Sequence, residues 1–229
     1  MNSILLSVAI VLVLLGCNQD RPEEQVHQVD LPNDFTSIGQ LLDSIHVEDQ
    51  KYRSELDEIM EAHGWDSEEM EAQWEIISKI DSTNLLVVEE ILDKYGWLSS
   101  DQIGNKANSA LFLIIQHSDQ QTQEKYLPMM RQAVEEGKAN SRSLALLEDR
   151  VRLGKGELQV YGSQVAIDSA TEEMYVLPLM EPERVNERRA KVGLGPIEDY
   201  VSHWGINWNV EEYKKKLPAW IEKQNQELN

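Results

Sequence analysis

The sequence predicts a mainly α, bundle-like helical domain with one small β-hairpin, preceded by a lipoprotein signal peptide and a flexible tether. Three observations predict it. Hydrophobic residues recur at helical spacing through most of the 229 residues, strand-like alternation is confined to residues 158–177, and the chain opens with an apolar run that ends at its single cysteine. We therefore divide the chain into a signal peptide (1–16), a tether (17–33) and one domain (34–229).

The first element is the apolar run Ile4–Leu15, interrupted only by Ser7. A transmembrane helix needs about 20 apolar residues, so this shorter run is more typical of a signal peptide. The motif Leu14-Leu15-Gly16-Cys17 resembles a bacterial lipobox, in which the cysteine becomes lipid-modified. A plain signal anchor is the alternative, favoured by the lack of Lys or Arg in Met1–Ser3. We expect lipidated Cys17 to anchor the protein in a membrane of the bacterial cell envelope, facing the periplasm or the exterior.

The charge balance excludes one class of partner. The chain has 41 acidic and 21 basic residues, a net charge of -20, and no strong basic patch. Such a surface repels phosphate backbones, so nucleic-acid binding is not expected. No glycine-rich phosphate loop or dinucleotide fingerprint is present, and we predict no cofactor.

The domain begins with a predicted helix from Ile38 to Met60, which Gly64 closes. A second helix starts at a capping-box-like pair, Asp66 and Glu69. Its hydrophobic stripe is interrupted by the polar stretch Asp81–Asn84 and resumes until Tyr95–Trp97. These segments predict two long helices at the start of the domain.

The next helix is predicted from near Ser100 to His117. It is apolar on nearly every face, so we expect it at the centre of the fold. The remaining predicted elements are a helix over 122–136 with a kink at Pro128, a helix over 141–153, a β-hairpin over 158–177, a short helix over 182–192 and a last helix over 210–226.

Several short motifs follow one another between residues 70 and 200. They are Asp81-x-x-Asn84, Tyr95-Gly96-Trp97, Gly104, Gln116-His117-Ser118-Asp119, Leu147-Glu148-Asp149-Arg150-Val151, Gln159-x-Tyr161-Gly162-Ser163-Gln164, Arg188-Arg189-Ala190, Gly193-Leu194 and Tyr200. Together these segments resemble an uncharacterised bacterial family known only as a domain of unknown function, whose members are often lipoproteins. The chain departs from the family pattern at Leu98, Ser118 and Ser163, none of which removes a reactive group. The resemblance implies a fold and a candidate site but no activity.

Polar residues interrupt apolar positions in four of the predicted elements. A buried polar group without a partner costs about 1 to 3 kcal/mol, so such residues are expected to meet one another or a ligand. We therefore predict a pocket centred on His117. Its candidate catalytic residues are His117, Asp149 and Arg150, and its candidate binding residues are Gln116, Asp119, Tyr161, Gln164, Asp81 and Asn84.

Each of these residues also has a structural interpretation. His117 and Asp149 could be a hydrogen-bonded pair that joins two helices, and Asp81 could be a helix N-cap. A metal site is not predicted, because His117 and Asp119 diverge by about 200° on a regular helix and no cysteine ligand is available. No serine-hydrolase elbow is present. The six tryptophans are expected to pack in the core and at its rim rather than to form a sugar platform.

These observations leave three functions open. The favoured one is a cell-envelope module that binds a small polar ligand or a peptide around His117. The second is a hydrolase in which His117 is the general base, oriented by Asp149 or Asp119, and Arg150 neutralises developing negative charge. The third is a structural or assembly lipoprotein without a site. Whether the protein is an enzyme stays undecided by the sequence.

Overall fold

The structure, a computed structural model, describes residues 30–168 and 173–227. It is mainly helical with one two-stranded antiparallel sheet, which confirms the predicted fold class at that level. The signal peptide, Cys17 and most of the tether lie outside the described residues. Within the described residues, no helix has the length and apolar character needed to span a membrane.

The N-terminal part of the domain is built from three helices. The segment predicted as one helix is divided into α1 (Phe35–Arg53) and α2 (Leu56–His63), and α3 (Glu68–Tyr95) follows. Asp34 caps α1 by accepting a hydrogen bond from the Ser37 amide at 2.9 Å. Ser67, rather than Asp66, caps α3 through the Met70 amide. The stretch 81–84 does not interrupt α3, so Asp81 is not an N-cap.

The central helix is shorter than predicted at its start. Residues near Ser100 form a single helical turn, α4 (Ser100–Ile103), which is separated from α5 (Asn105–His117) by Gly104. Gly104 has a φ of 89°, a left-handed conformation that glycine adopts without steric penalty. The end of α5 at His117 is as predicted.

The next two helices agree with the sequence to within a few residues. They are α6 (Gln120–Glu135), with Pro128 inside it, and α7 (Ser141–Gly154). The hairpin consists of β1 (Val165–Ile167) and β2 (Met174–Val176), which pair antiparallel with Val165 opposite Val176. Leu158 lies before the strand rather than within it. The following residue, Gln159, forms an isolated parallel bridge with Leu179.

The C-terminal part contains shorter elements. A 3₁₀ turn, Pro182–Arg184, leads into α8 (Val185–Lys191), and the chain then forms α9 (Ile197–Val201), which the sequence did not predict. The last helix, α10, spans Val210–Glu227.

The described residues form two hydrophobic cores. The larger lies among α1, α3, α5, α6 and α7, with Leu111 and Ile115 of α5 fully buried, as expected for a central helix. Gly39 allows α1 to pack closely on α4, because a Cβ there would lie 2.5 Å from the Ile103 carbonyl oxygen. The smaller core joins β2 to the C-terminal helices and contains Val176, Leu179, Val185, Ile197, Val201 and Tyr213.

Candidate functional site

Three helices of the larger core each carry one titratable side chain to a common point. In α1 the buried positions Ile38, Leu42, Ile45 and Asp49 follow one another at intervals of three or four residues, so Asp49 continues the inward stripe. Asp81 comes from the middle of α3 and His117 from the last position of α5. One ligand atom from each of Asp49, Asp81 and His117 lies within 4.8 Å of the other two.

Asp49 and His117 form a hydrogen-bonded dyad. His117 Nδ1 lies 2.9 Å from Asp49 Oδ1, and the Asp49 side chain is fully buried while that of His117 is 18% exposed. An ionised carboxylate can only accept hydrogen bonds, so Nδ1 carries the proton and Nε2 of the neutral ring is an acceptor. None of the residues 30–168 and 173–227 is hydrogen-bonded to Nε2. This is the geometry of an oriented general base.

Arg53 supplies the charge that balances the two carboxylates. Its Nη2 lies 2.7 Å from Asp81 Oδ2, and its Nη1 lies 3.6 Å from Asp49 Oδ1. Arg53 lies one helical turn after Asp49 on α1, and its ion pair with Asp81 joins α1 to α3. Asp81 Oδ1 is buried and has no hydrogen-bond partner in the described part of the chain. Asp81 is therefore partly unsatisfied even with Arg53 in place.

The pKa of Asp49 reflects these contacts. Burial acts to raise the pKa of this carboxyl, but the hydrogen bond and charge of His117, the Gln50 amide and the charge of Arg53 outweigh it, and the pKa is lowered. Asp49 is therefore ionised at neutral pH. A buried ionised aspartate beside a histidine holds the imidazole in one tautomer and stabilises its protonated form.

The same three residues are the best-placed metal ligands that the structure describes. Two carboxylates and an imidazole are suitable donors for a transition metal such as zinc. However, Arg53 already lies against both carboxylates, so a metal ion would have to displace this guanidinium. The sequence prediction weighed only His117 and Asp119 as a ligand pair and did not consider Asp49 or Asp81.

Arg150 lies beside this cluster on α7. Burial lowers the pKa of Arg150, and the like charge of Arg53 lowers it further, whereas Tyr200 raises it. Its Nε is buried without a hydrogen-bond partner, and no ion pair joins it to a carboxylate in the described ranges. Arg150 is thus a partly buried cation whose Nε is shielded from solvent and whose charge no acidic side chain of these ranges neutralises by direct contact.

Asp149, the neighbour of Arg150, has a different role from the one predicted. The expected pairing of His117 with Asp149 or Asp119 is wrong, because Asp49 occupies that position. Asp149 instead accepts hydrogen bonds from the backbone amides of Val160, Tyr161 and Ser163 at 2.6 to 3.2 Å. Burial raises the pKa of Asp149, and these amide bonds act to lower it. Asp149 holds a loop in place rather than orienting the histidine.

The loop 159–164 is also held through its carbonyl groups. Arg188 Nε donates to the Val160 carbonyl at 2.7 Å, and Arg189 Nη1 donates to the Tyr161 carbonyl at 2.8 Å. The Tyr200 hydroxyl donates to the Ser163 carbonyl at 2.8 Å. Gly162 has a φ of 67°, and a Cβ there would lie 2.7 Å from Ile197 Cδ1, so glycine is required.

Two of the predicted binding residues belong to this loop. The Tyr161 hydroxyl lies 3.4 Å from Glu148 Oε2, and burial raises the pKa of that hydroxyl. Gln164 exchanges hydrogen bonds with Gln159, whose side chain donates to the Gln164 carbonyl and accepts from the Gln164 amide. The Tyr161 hydroxyl therefore contacts α7 and Gln164 contacts other residues of the loop, and neither side chain is hydrogen-bonded to His117.

The remaining predicted residues have separate positions. Asp119 caps α6 by accepting a hydrogen bond from the Thr122 amide at 2.7 Å. Gln116 is buried at the end of α5, and its Oε1 has no hydrogen-bond partner among the described residues. Asn84 is 3% exposed and lies one turn from Asp81 on α3, and its Nδ2 also has no partner in those residues.

Sequence reasoning missed Asp49 and Arg53. The signal that identified Asp81, a polar residue on an apolar stripe, was also present at Asp49, four positions after Ile45 and seven after Leu42. Residues 46–51 contain only one apolar residue, Val47, so the local pattern does not mark Asp49 as a buried position. Arg53 follows one turn later on the same face, where it reaches Asp81.

Comparison with known proteins gives a family but no activity. The chain matches no curated protein and no solved structure. The model of a family of unknown function matches residues 37–209, a range that includes Asp49, Asp81, His117 and Arg150. The range covers most of the chain and confirms the expected relationship to a domain of unknown function. The chain belongs to the family of unknown function DUF6624.

Proposed function

We propose that the protein is a cell-envelope lipoprotein that binds a small acidic molecule at Arg150, beside the Asp49–His117 dyad. The observation that carries the proposal is the buried Nε of Arg150, which has no partner in the described part of the chain. A buried N–H donor without a partner is unfavourable, and a ligand that reaches the guanidinium group can supply the missing acceptor. A bound anion would supply both the charge and the missing hydrogen bond.

The charges around Arg150 favour an anion over a cation. Arg53 is already committed to Asp49 and Asp81, whereas Arg150 has no such partner. A guanidinium donates two parallel hydrogen bonds to a carboxylate or a phosphate, which makes these groups the preferred ligands. The net charge of -20 opposes long nucleic acids, so a small carboxylic or phosphoric acid fits better.

The dyad supports a second candidate function, hydrolysis. Since Nε2 of His117 has no partner in the described ranges, it can take a proton from water while Asp49 stabilises the resulting imidazolium. The hydroxide would then attack an acyl or phosphoryl centre whose negative charge Arg150 neutralises, the bond to the leaving oxygen would break, and the His117 imidazolium would return its proton to that oxygen. Asp49 takes the orienting role that the sequence assigned to Asp149 or Asp119.

Anion binding is tested with defined probes on the full-length protein. We expect inorganic phosphate and succinate, at ionic strength matched with sodium chloride, to raise the melting temperature of the wild type by mass action. Arg150→Gln should remove this increase. Arg131→Gln is the matched control, because Arg131 is half exposed and pairs with Glu148 on the surface. A similar anion effect in Arg150→Gln and wild type contradicts the proposed site.

A spectroscopic measurement separates binding from general stabilisation. The Arg150 Nε–H resonance, assigned by its loss in Arg150→Gln, should shift on phosphate addition. Hydrolysis is tested with p-nitrophenyl acetate and p-nitrophenyl phosphate on wild type, His117→Gln and Asp49→Asn. Equal turnover by all three proteins rules the dyad out as a catalyst of these reactions and leaves binding or a structural role.

The membrane anchor is an independent part of the proposal and rests on the sequence motif at Cys17. Metabolic labelling with a palmitate analogue should mark the wild type and not Cys17→Ser. Equal labelling of both proteins would exclude lipidation at this cysteine. Neither result affects the test of Arg150.

A further inference from the structure

A cavity lies in the C-terminal part of the molecule, and none of the dyad residues lines it. It has a volume of about 680 Å³ and lies among β2, the segment 204–209 and α10. Its size is within the usual range for ligand sites. The function proposed above uses none of its residues. The aromatic residues that line it are Tyr175, Trp204, Trp208, Tyr213 and Trp220.

The aromatic rings form a continuous wall. Tyr175 stacks on Trp220 at 4.7 Å between ring centroids, Tyr213 contacts Trp220 at 5.2 Å, and Trp208 contacts Tyr213 at 4.9 Å. Trp204 is 38% exposed at one side of the cleft. The expectation that the tryptophans pack in the core and at its rim holds for buried Trp97 and for Trp208 and Trp220, which pack against the smaller core, whereas Trp204 is exposed.

Polar groups line the same cleft beside the rings. The side chain of Asn207 is exposed, and Asn209 uses its Oδ1 to cap α10, which leaves its amide nitrogen free of that contact. Lys216 adds one positive charge and Asp168, Glu173 and Glu212 add three carboxylates, and Glu212 is paired with Lys215 at 2.6 Å. The cleft therefore offers flat apolar faces together with amide and charged hydrogen-bonding groups.

We propose that this aromatic cleft is a binding site for an uncharged short oligosaccharide. One face of a sugar ring presents C–H groups that pack on an aromatic ring, and its hydroxyl groups at the edge need hydrogen-bonding partners. Trp204 and Trp208 supply the faces, and Asn207 supplies an amide. A purely apolar ligand would leave the amide and charged groups unpaired.

The observations distinguish this ligand class from a cation. Aromatic cages for quaternary ammonium groups direct several ring faces at one point. Here Tyr175 stacks on Trp220 and Tyr213 is tilted against Trp220, so these rings pack on one another rather than around a common point, and the lining carries charges of both signs. An uncharged ligand is consistent with both features. The family model matches residues 37–209, and α10 begins at Val210. The side of the cleft formed by α10 therefore lies outside the matched range.

The test uses three trisaccharides as probes: N,N′,N″-triacetylchitotriose, cellotriose and maltotriose. Saturation-transfer NMR and tryptophan fluorescence titration are carried out on full-length wild type, Trp204→Ala, Asn207→Ala and Trp74→Ala. Trp74 is the matched control, because it is 44% exposed and does not line the cleft. We expect binding of at least one sugar to weaken about tenfold or more in Trp204→Ala and to be unchanged in Trp74→Ala.

Each other outcome counts against the proposal. The absence of binding by all three sugars overturns it, as does binding that neither Trp204→Ala nor Asn207→Ala weakens. Choline chloride serves as the cationic comparison, and choline binding without sugar binding would reassign the cleft to a cation. Circular dichroism melts of each variant show whether a lost signal reflects a lost fold. If Trp204→Ala does not fold, Asn207→Ala, which alters an exposed side chain, decides the test.

Discussion

Two aspartates with fully buried side chains, Asp49 and Asp149, show how one residue type serves two purposes in this molecule. Asp49 faces a partly exposed histidine and an arginine, both from positions that can meet solvent or a ligand. Asp149 faces three backbone amides of one loop. The first arrangement leaves an acceptor, His117 Nε2, without a partner in the described residues, and the second satisfies the carboxylate with three backbone amides of one loop. Burial alone therefore does not mark a functional carboxylate; its partners do.

The largest expected effect is on stability, from Asp149→Ala. The change leaves three amides without acceptors, each costing about 1 to 3 kcal/mol if it stays buried. We expect the melting temperature to fall by more than about 6 °C, at roughly 2 to 4 °C per kcal/mol for a domain of this size. Glu148→Ala, the adjacent carboxylate, is the control. A loss no larger than that of the control would mean that the loop finds other acceptors.

A double-mutant cycle tests which aspartate is coupled to His117. We expect Asp49→Asn and His117→Gln to be non-additive by about 1 kcal/mol or more, because each removes one partner of the same charge-assisted hydrogen bond. Asp149→Asn combined with His117→Gln should be additive within about 0.5 kcal/mol. The measurement is the free energy of unfolding in urea for the four variants of each cycle. Additivity in the first cycle would argue against the dyad.

The two carboxylates should also respond to pH in opposite directions. The pKa of Asp49 is lowered from 3.8 on folding, so its stabilising contribution is present above that value and is lost as the pH falls through the folded pKa. The pKa of Asp149 is raised from 3.8, so its contribution declines as the pH increases from 3.8 towards its folded pKa.

Urea unfolding between about pH 3 and 6 can separate these contributions. The stability difference between wild type and Asp49→Asn should shrink towards the acid end of this range. The stability difference between wild type and Asp149→Asn should shrink towards the less acidic end of this range. Parallel curves for the two variants would show that the environments of the two aspartates are alike.

The smallest effect is expected at Asp119, which the sequence placed in the binding site and the structure places at the start of α6. Asp119→Ala should lower stability by about 1 kcal/mol, the usual contribution of an N-cap, without changing phosphate binding. Asp119→Ser, which keeps a capping oxygen, should restore most of the loss in a thermal melt. Weaker phosphate binding in both variants would return Asp119 to the site.

The sequence predicted features that depend on residues close together along the chain. It missed features that depend on contacts between residues far apart in the sequence. The position of His117 at the end of α5 followed from the end of an apolar run. Its partner did not, because Asp49 is 68 residues away and the choice among several acidic residues depends on how α1 packs against α5. Asp149 was correctly identified as a polar residue that needs partners. Those partners are backbone amides, and no side-chain pattern records them.

The loop 159–164 also differs from ordinary loops in how it can change during evolution. Loops usually vary in length because few of their backbone groups have fixed partners. Here Asp149 accepts hydrogen bonds from the amides of residues 160, 161 and 163. Arg188, Arg189 and Tyr200 donate to the carbonyl groups of the same three residues. An insertion or deletion of one residue would shift these groups away from their acceptors and donors together. The length of this segment is therefore as constrained as that of a strand inside a sheet.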